Sequence, residues 1–196
     1  MNRSLVIKVG GSLYLCAQEI IKTILAAYPD ALILPGGGAF ANNIRKTGVN
    51  GTPAHWMAIA AMEQYGWYLS TFGIKTTESA IFSNKPLIFL PYRFLLEHDP
   101  LPHSWDITSD TISAWLAAFL HADLLILKSI DQIRAGDNVI DQITRPMETD
   151  DLDPAFIPFV LNHHLSGMII NGTVPDRITQ VLQGRSVTGT RFGTTI

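Results

Sequence analysis

The sequence has little of what several classes of protein require. Of its 196 residues only one is a cysteine, Cys16, which excludes an internal disulfide framework and any multi-cysteine metal site. No apolar run reaches the roughly 18 residues of a membrane helix. The first residues meet a charge after three apolar positions, which is too short for a signal-peptide core. These absences predict a soluble, cytoplasmic protein with no membrane partner.

Charge and metal ligands are scarce as well. Fourteen basic residues stand against seventeen acidic ones, so there is no positive surplus for nonspecific binding of nucleic acid. His163 and His164 are adjacent and cannot share a helical face, and no third ligand follows at a suitable spacing, so we predict no metal site. A 47% hydrophobic content excludes extended disorder. We expect residues 1–196 to form a single domain.

Short apolar runs alternate with helical patterns along the chain. Runs rich in branched residues predict buried strands at 5–9, 31–34, 86–90, 123–127 and 167–170. Apolar residues at helical spacing predict helices over 17–28 and from Ser109 onward. This alternation predicts an α/β fold with a mostly parallel sheet covered on both faces. Residues 92–105 and 134–153 are expected to be exposed loops.

Glycines follow the first two predicted strands. Lys8 is followed by Gly10, Gly11 and Ser12, and the second strand ends in Gly36-Gly37-Gly38. Glycine lets backbone amides approach a ligand closely, and ligands of such sheets bind beyond the carboxyl ends of the strands. The two turns predict a rim that binds a phosphate or carboxylate. No GxxxxGK[ST] loop is present, which excludes an ordinary P-loop kinase.

Taken in order, six segments resemble the amino acid kinase superfamily, which includes uridylate, isopentenyl phosphate, acetylglutamate and aspartate kinases. They are VIKVGGS at 6–12, LPGGGAFA at 34–41, TSDTISA at 108–114, LKSIDQI at 127–133, NGTVP at 171–175 and Gly189-Thr190. The resemblance implies a three-layer αβα sandwich. The segment from 104 to 117 is most similar to a small subgroup that phosphorylates an aminomethyl-furan-methyl phosphate in methanofuran biosynthesis.

The resemblance also implies ATP and Mg²⁺ and assigns roles to residues. Catalysis falls to Lys8, which stabilises the transferring group, and to Asp110, which orients the lysines or, near a magnesium ion, contributes to the water shell of the metal. Amides of Gly10, Gly11 and Ser12 would bind phosphate, and the nucleotide would lie along Ser129, Asp131 and Ile133. The small anionic substrate would be held by Gly36, Gly37, Gly38, Trp105 and Thr108, with a furan ring stacking on Trp105.

Two departures from the family pattern matter. Gln132 stands where a glycine is usual, and the second catalytic lysine, often found after a Gly-Gly-Met turn, is not visible. We predict that Lys128 replaces it, because it is the one lysine besides Lys8 at the carboxyl end of a predicted strand. Arg177 is the weaker candidate.

Three functions remain open at this point. The first is a kinase of a small phosphomonoester, which makes a phosphoanhydride. The second is a carboxylate kinase that forms an acyl phosphate, with Asn42 and Asn43 near the acceptor. The third is a nucleotide-binding relative without turnover. His55 and Trp56 either cover the acceptor or form a packed pair. The family also implies a homo-oligomer.

Overall fold

A computed structural model describes residues 4–28 and 30–193. Residues 1–3 belong to the segment from which we predicted that there is no signal peptide, and they lie outside the described residues. The strands are β1 (Leu5–Val9), β2 (Ala31–Pro35), β3 (Lys75–Thr77), β4 (Leu87–Phe89), β5 (Asp123–Lys128), β6 (Arg134–Ala135), β7 (Asn138–Val139), β8 (Gln142–Ile143), β9 (Gly167–Asn171) and β10 (Thr190–Phe192). The helices are α1 (Ala17–Ala27), α2 (Gly38–Lys46), α3 (Gly51–Ser70), α4 (Pro91–His98), α5 (Ser109–Phe119), α6 (Phe156–Asn162) and α7 (Pro175–Leu182), with a 3-10 turn at Gly11–Cys16.

Eight of the strands form one sheet in the order β3-β4-β2-β1-β5-β9-β10-β8. The neighbouring strands pair in parallel except β9 and β10, which are antiparallel. β6 and β7 form a separate antiparallel hairpin. The mostly parallel sheet is therefore confirmed, with β1 and β5 side by side at its centre.

Side chains of the central strands alternate between two apolar layers. Val6, Leu32 and Leu124 pack in the layer that holds α5 and α6. Their neighbours in sequence, such as Ile7 and Ile33, pack in the layer that holds α1 and α7. Because successive residues of a strand point to opposite faces, an unbroken apolar strand supplies both layers. The predicted three-layer αβα sandwich is confirmed.

The expected loop over 92–105 is wrong in its first half. The helix α4 occupies Pro91–His98, with Pro91 in its first turn, where a missing N–H costs no hydrogen bond. Leu95 is buried in the core and gives the short helix its apolar face. The stretch 134–153 is exposed in large part, but β8 joins the edge of the sheet and Leu152 is buried. Among the described helices none is long and apolar enough to cross a membrane.

Candidate active site

A buried carboxylate joins two lysines at the centre of the sheet. The Nζ of Lys8 lies 2.7 Å from Oδ1 of Asp110, and the Nζ of Lys128 lies 2.9 Å from Oδ2 of the same carboxylate. The side chains of Lys8 and Asp110 are only 5% and 6% exposed, and that of Lys128 is 17% exposed. The three residues predicted to be catalytic therefore meet in one ion network.

Strand register and helix packing explain why these side chains meet. β1 and β5 are parallel neighbours, and Lys8 is paired with Ile126. Lys8 and Lys128 both point to the α5 face of the sheet, because each follows a residue of that layer, Val6 or Ile126, by two positions. Asp110 lies in the first turn of α5, which packs over this face. The two cations thus project from adjacent strand ends towards one helix start.

The network keeps Asp110 ionised. Burial works against the charged carboxylate, but the charges and hydrogen bonds of Lys8 and Lys128 outweigh it and lower the pKa of Asp110 to about 2. Burial lowers the pKa of Lys8, assisted by the charge of Lys128 and opposed by Asp110. With both oxygens occupied and a low pKa, Asp110 cannot serve as a proton acceptor at neutral pH. In this arrangement its two oxygens hold the ammonium groups of both lysines.

A second carboxylate fixes the start of α5. Oδ2 of Asp153 accepts hydrogen bonds from the amide of Thr108 at 2.9 Å, from its hydroxyl at 2.8 Å and from the amide of Thr111 at 3.0 Å. Oδ1 accepts a bond from the Thr111 hydroxyl. Asp153 thus caps the helix from a distant loop, since Thr108 makes no side-chain cap itself. The sequence analysis missed this residue, because nothing in a linear motif links positions 108 and 153.

The two glycine turns touch each other. A Cβ on Gly11 would lie 2.0 Å from the Cα of Gly38, so the close approach requires glycine at this point. The 3-10 turn begins at Gly11 and α2 begins at Gly38, and the first amides of a helical turn have no acceptor within it. Two sets of such amides therefore lie side by side next to Lys8, which is the predicted anion-binding rim.

Two of the predicted phosphate- and acceptor-binding glycines have their amides engaged elsewhere. The amide of Gly10 donates to the carbonyl of Leu127 at 3.0 Å, and that of Gly36 donates to the carbonyl of Val9 at 2.9 Å. These bonds extend the sheet pairing beyond the strands. Gly10 and Gly36 therefore shape the rim, while Gly11, Ser12, Gly37 and Gly38 carry the amides that a ligand can reach.

A cleft of about 280 Å³ opens above this rim. Its floor is formed by Lys8, Gly11, Gly38, Asp110 and Lys128, and we call this set the cleft floor. One side is lined by α3 and by the segment before α5, and we call His55, Ile59, Met62 and Trp105 the cleft wall. Most of the predicted site residues line this cleft: Lys8, Gly10, Gly11, Ser12, Gly37, Gly38, Trp105, Thr108, Asp110 and Lys128.

The residues expected along the nucleotide lie beside the cleft. The hydroxyl of Ser129 donates to that of Ser12 at 3.2 Å. Asp131 is exposed and accepts a bond from Asn171 at 3.0 Å and another from Arg177. Ile133 instead has a fully buried side chain, and its amide donates to the hydroxyl of Thr190. Ser129 and Asp131 are thus accessible to a ligand, whereas the side chain of Ile133 belongs to the core.

The predicted stacking surface on Trp105 already has a neighbour. The guanidinium of Arg45 lies 4.7 Å from the centroid of the Trp105 ring, and both residues line the cleft. The indole N–H of Trp105 donates to the carbonyl of Val49 at 3.4 Å. This places a cation against an aromatic ring at the mouth of the site. Arg45 was missed in the sequence, where it lies about two helical turns after Gly38, the first residue of α2.

The cleft floor combines two cations, backbone amides and one carboxylate. The two touching glycine turns place helix-start amides next to the two cations, and both line the cleft. Both oxygens of Asp110 are taken by lysines. Across 4–28 and 30–193 no three His, Cys, Asp or Glu side chains are grouped to hold a metal ion. A magnesium ion here would be carried mainly by phosphate oxygens and water.

Comparison with known proteins supplies the class of protein. No protein-family model matches the sequence. The chain is 26% identical over 201 residues to (5-(aminomethyl)furan-3-yl)methyl phosphate kinase of Methanocaldococcus jannaschii, a match that covers 92% of this chain and 93% of the relative. The two proteins therefore correspond over nearly their full lengths.

Solved structures share the fold. Uridylate kinase from Archaeoglobus fulgidus superposes with a TM-score of 0.69 at 18% identity, covering 97% of this chain and 100% of its own. An isopentenyl phosphate kinase gives a TM-score of 0.67 at 18% identity, with 96% and 99% covered. The fold and the sequence match confirm the predicted resemblance to the amino acid kinase superfamily. The sequence is similar to that of the furan-methyl phosphate kinase over nearly the whole chain.

Proposed function

We propose that this chain is an ATP-dependent kinase that transfers a phosphoryl group to a small phosphomonoester. The kinase named as its relative and the kinases that share its fold support this class of enzyme. The relative's name supports an aminomethyl-furan-methyl phosphate as the acceptor, and with it a role in methanofuran-type cofactor biosynthesis. We also propose that residues 1–196 form a single domain and that the protein is located in the cytoplasm.

The occupied carboxylate at the cleft floor carries the proposal. Within the described part of the cleft lining, Asp110 is the sole carboxylate, and both of its oxygens are bonded to lysines. The site therefore supplies positive charge without a free carboxylate base. A hydroxyl acceptor would need its proton removed, but a phosphate acceptor near neutral pH is already an anion, since its second pKa is about 6. The floor therefore fits an acceptor that is already an anion, which a carboxylate also is at neutral pH, and the relative's name favours the phosphate.

The transfer then balances without a proton acceptor. An acceptor phosphate oxygen forms a bond to the γ-phosphorus of ATP, the bond from that phosphorus to the β,γ-bridging oxygen breaks, and ADP leaves with the bond's electron pair. The acceptor becomes a diphosphate. Lys8 and Lys128 would stabilise the negative charge on the transferring group, and Asp110 would keep both ammonium groups in place.

The remaining predicted residues would hold the two substrates. Amides of Gly11 and Ser12 would bind the phosphates of ATP, and Ser129 and Asp131 would lie along the nucleotide at the ends of β5 and β9. Mg²⁺ bound to the triphosphate would neutralise part of its charge. Gly37 and Gly38 would hold the acceptor phosphate.

A panel of acceptors tests the proposal. ADP release is measured with an aminomethyl-furan-methyl phosphate, uridylate, isopentenyl phosphate, glutamate and aspartate, and the product is examined by ³¹P NMR. We expect turnover with a phosphomonoester and the doublet signals of a diphosphate. Trapping of an acyl phosphate by hydroxylamine would instead establish the carboxylate kinase. Stoichiometric nucleotide binding without ADP release from any acceptor would establish the non-catalytic relative.

The proposal includes a homo-oligomer. Large apolar side chains are exposed on the 3-10 turn and on α1 and α3, with Leu15 at 96% exposure and Trp67 at 56%. Exposed apolar groups on neighbouring elements are typical of a surface that a partner covers. Light scattering coupled to size exclusion gives the mass in solution, and a single-chain mass of 21.6 kDa would contradict this part of the proposal.

A further inference from the structure

A polar side chain without a partner faces the cleft from its wall. His55, on the second turn of α3, lines the cleft and is only 9% exposed. Its recorded contacts are ring contacts: it stacks on His103 with centroids 4.3 Å apart and meets the edge of Trp56 at 5.0 Å. Within residues 4–28 and 30–193 neither of its ring nitrogens has a hydrogen-bond partner. No side-chain nitrogen or oxygen of the described residues is both fully buried and unpaired, so the unpaired nitrogens of His55 keep some accessible surface, and a ligand in the cleft that His55 lines can bond to them.

The neighbouring histidine does not share this property. Nδ1 of His103 lies 2.9 Å from the hydroxyl of Thr52, and its Nε2 lies 2.8 Å from Oδ1 of Asp99. Both nitrogens of His103 are therefore engaged in polar contacts, which hold its ring in place. The His103 ring stacks on the ring of His55 and so restricts its orientation.

The imidazole of His55 is neutral at physiological pH. Burial, together with the nearby His103 and against the opposing charge of Asp99, lowers its pKa to about 4. A neutral imidazole offers one N–H donor and one unprotonated nitrogen that accepts a hydrogen bond. It therefore has a vacant acceptor for a donor group of the ligand.

The charges around the cleft limit what this acceptor can bind. The lining holds the cations Lys8, Lys128 and Arg45, and its one carboxylate is occupied by the two lysines. An amino group on the substrate would find no free carboxylate among the described lining residues. The unprotonated nitrogen of His55 is an uncharged alternative, because it accepts a hydrogen bond from an ammonium or amine without neutralising the lysines.

We propose that His55 recognises the acceptor substrate. Its unprotonated ring nitrogen accepts a hydrogen bond from a primary amine at the end of the phosphomonoester opposite the phosphate. This rests on the proposed kinase function and adds the group that distinguishes one phosphomonoester from another. His103 is the positioning residue that holds the ring of His55 in place.

The test compares matched acceptors. ADP release is measured for the aminomethyl-furan-methyl phosphate and for its analogue with methyl in place of aminomethyl, using wild type and the variants H55F and H55Q. We expect wild type to prefer the amine by at least about 10-fold in kcat/KM, a factor equal to about 1.4 kcal/mol. H55F should remove that preference while changing kcat/KM for the methyl analogue by less than about threefold. H55Q, whose amide oxygen can accept the bond, should retain part of the preference.

Controls separate this role from a structural one. H163Q replaces an exposed histidine that directly follows α6 and does not line the cleft, and it should leave the kinetics with both acceptors unchanged. Thermal unfolding and the KM for ATP confirm that each variant is folded and binds nucleotide. An equal loss for both acceptors in H55F, or no preference for the amine in wild type, overturns the role of His55 with the kinase function intact. Absence of turnover with every phosphomonoester overturns the kinase function, and this inference with it.

Discussion

The cleft floor and the cleft wall differ in whether their polar side chains have partners. On the floor each oxygen of Asp110 has a lysine partner, at 2.7 and 2.9 Å. On the wall His55 is nearly as well buried, yet its nitrogens have no partner among the described residues. A satisfied network fixes its members in one geometry, whereas an unsatisfied group is available to a ligand. In the proposed function the floor would serve the phosphoryl transfer common to many acceptors, and the wall would select among them.

The largest effect is expected from breaking the floor. Asp110→Asn leaves two ammonium groups close together without a counter-charge, and loss of one partner of a buried ion pair costs about 3–5 kcal/mol. We expect a fall in the free energy of unfolding in this range and no measurable ADP release. Denaturant unfolding and a coupled ADP assay measure both. Asp137→Asn, in the exposed turn between β6 and β7, is the matched control. Unchanged turnover in Asp110→Asn would show that the network has no catalytic role.

Lys128→Met separates chemistry from stability on the floor. Lys128 is the most exposed of the three side chains, so its removal should disturb folding less than Asp110→Asn. Loss of one preorganised charge-stabilising donor lowers kcat by about 10²–10³-fold. Steady-state kinetics check this, with Lys22→Met on the exposed face of α1 as control. Near-normal turnover would transfer the role of the missing second lysine to another residue, with Arg177 the next to test.

Gly11→Ala tests the junction of the two glycine turns. The new Cβ would lie 2.0 Å from the Cα of Gly38, so the turns must separate. Overpacking of this kind costs about 1–3 kcal/mol. Because the amides beside Lys8 move with the turns, we expect kcat/KM to fall about 10-fold or more.

Gly48→Ala is the control for that change. Gly48 has a φ of +73° with nothing within 4 Å of a new Cβ, so the alanine strains the backbone without moving the rim. Thermal melts and acceptor kinetics of both variants separate the two effects. Equal kinetics in both would mean that contact between the turns is irrelevant to the site.

The smallest effect concerns the wall and is a pH dependence. The pKa of His55 is lowered from 6.5 to about 4 in the folded protein, so the unfolded chain binds more protons between these values. Its contribution to stability is therefore lost as the pH falls from 7 towards 4. His103 and Asp99 face His55 and titrate nearby, so wild type and variant must be compared. We expect His55→Gln to lose less stability than wild type between pH 7 and pH 5, by on the order of 1 kcal/mol. Stability is measured by urea unfolding at each pH. If the free energy of unfolding changes equally with pH in wild type and His55→Gln, the pKa of His55 is the same in the folded and the unfolded protein.

Local patterns in the sequence predict the five adjacent strands β4, β2, β1, β5 and β9 and the residues of the floor, but not β3, β6, β7, β8 or β10. Lys8 and Lys128 stand at the ends of two apolar runs, and Asp110 lies at the start of an amphipathic helix. The carboxyl ends of parallel strands lie along the same edge of the sheet. The order of these elements therefore nearly determines that the three side chains converge. That they serve catalysis stays a prediction, which the variants above test.

Contacts between segments that are distant in the chain could not be predicted from local patterns. The cap on α5 from Asp153 joins loops that no repeat or spacing relates, and the stack of His103 on His55 depends on how the segment before α5 folds against α3. The same holds for Arg45 over Trp105. The sequence singles out His55 and Trp105 but not their partners, because no spacing relates residues that are so far apart in the chain.

The sequence by itself determined the alternating strands and helices, the glycine turns and the cations at the strand ends, because each depends on residues close together in the chain. Only the tertiary structure decided which amides remain free, which carboxylate is occupied and which imidazole is buried without a partner. Those properties depend on what surrounds a group in space. The single cysteine excluded a covalent framework, and the arrangement of the site therefore depends on packing and on paired charges.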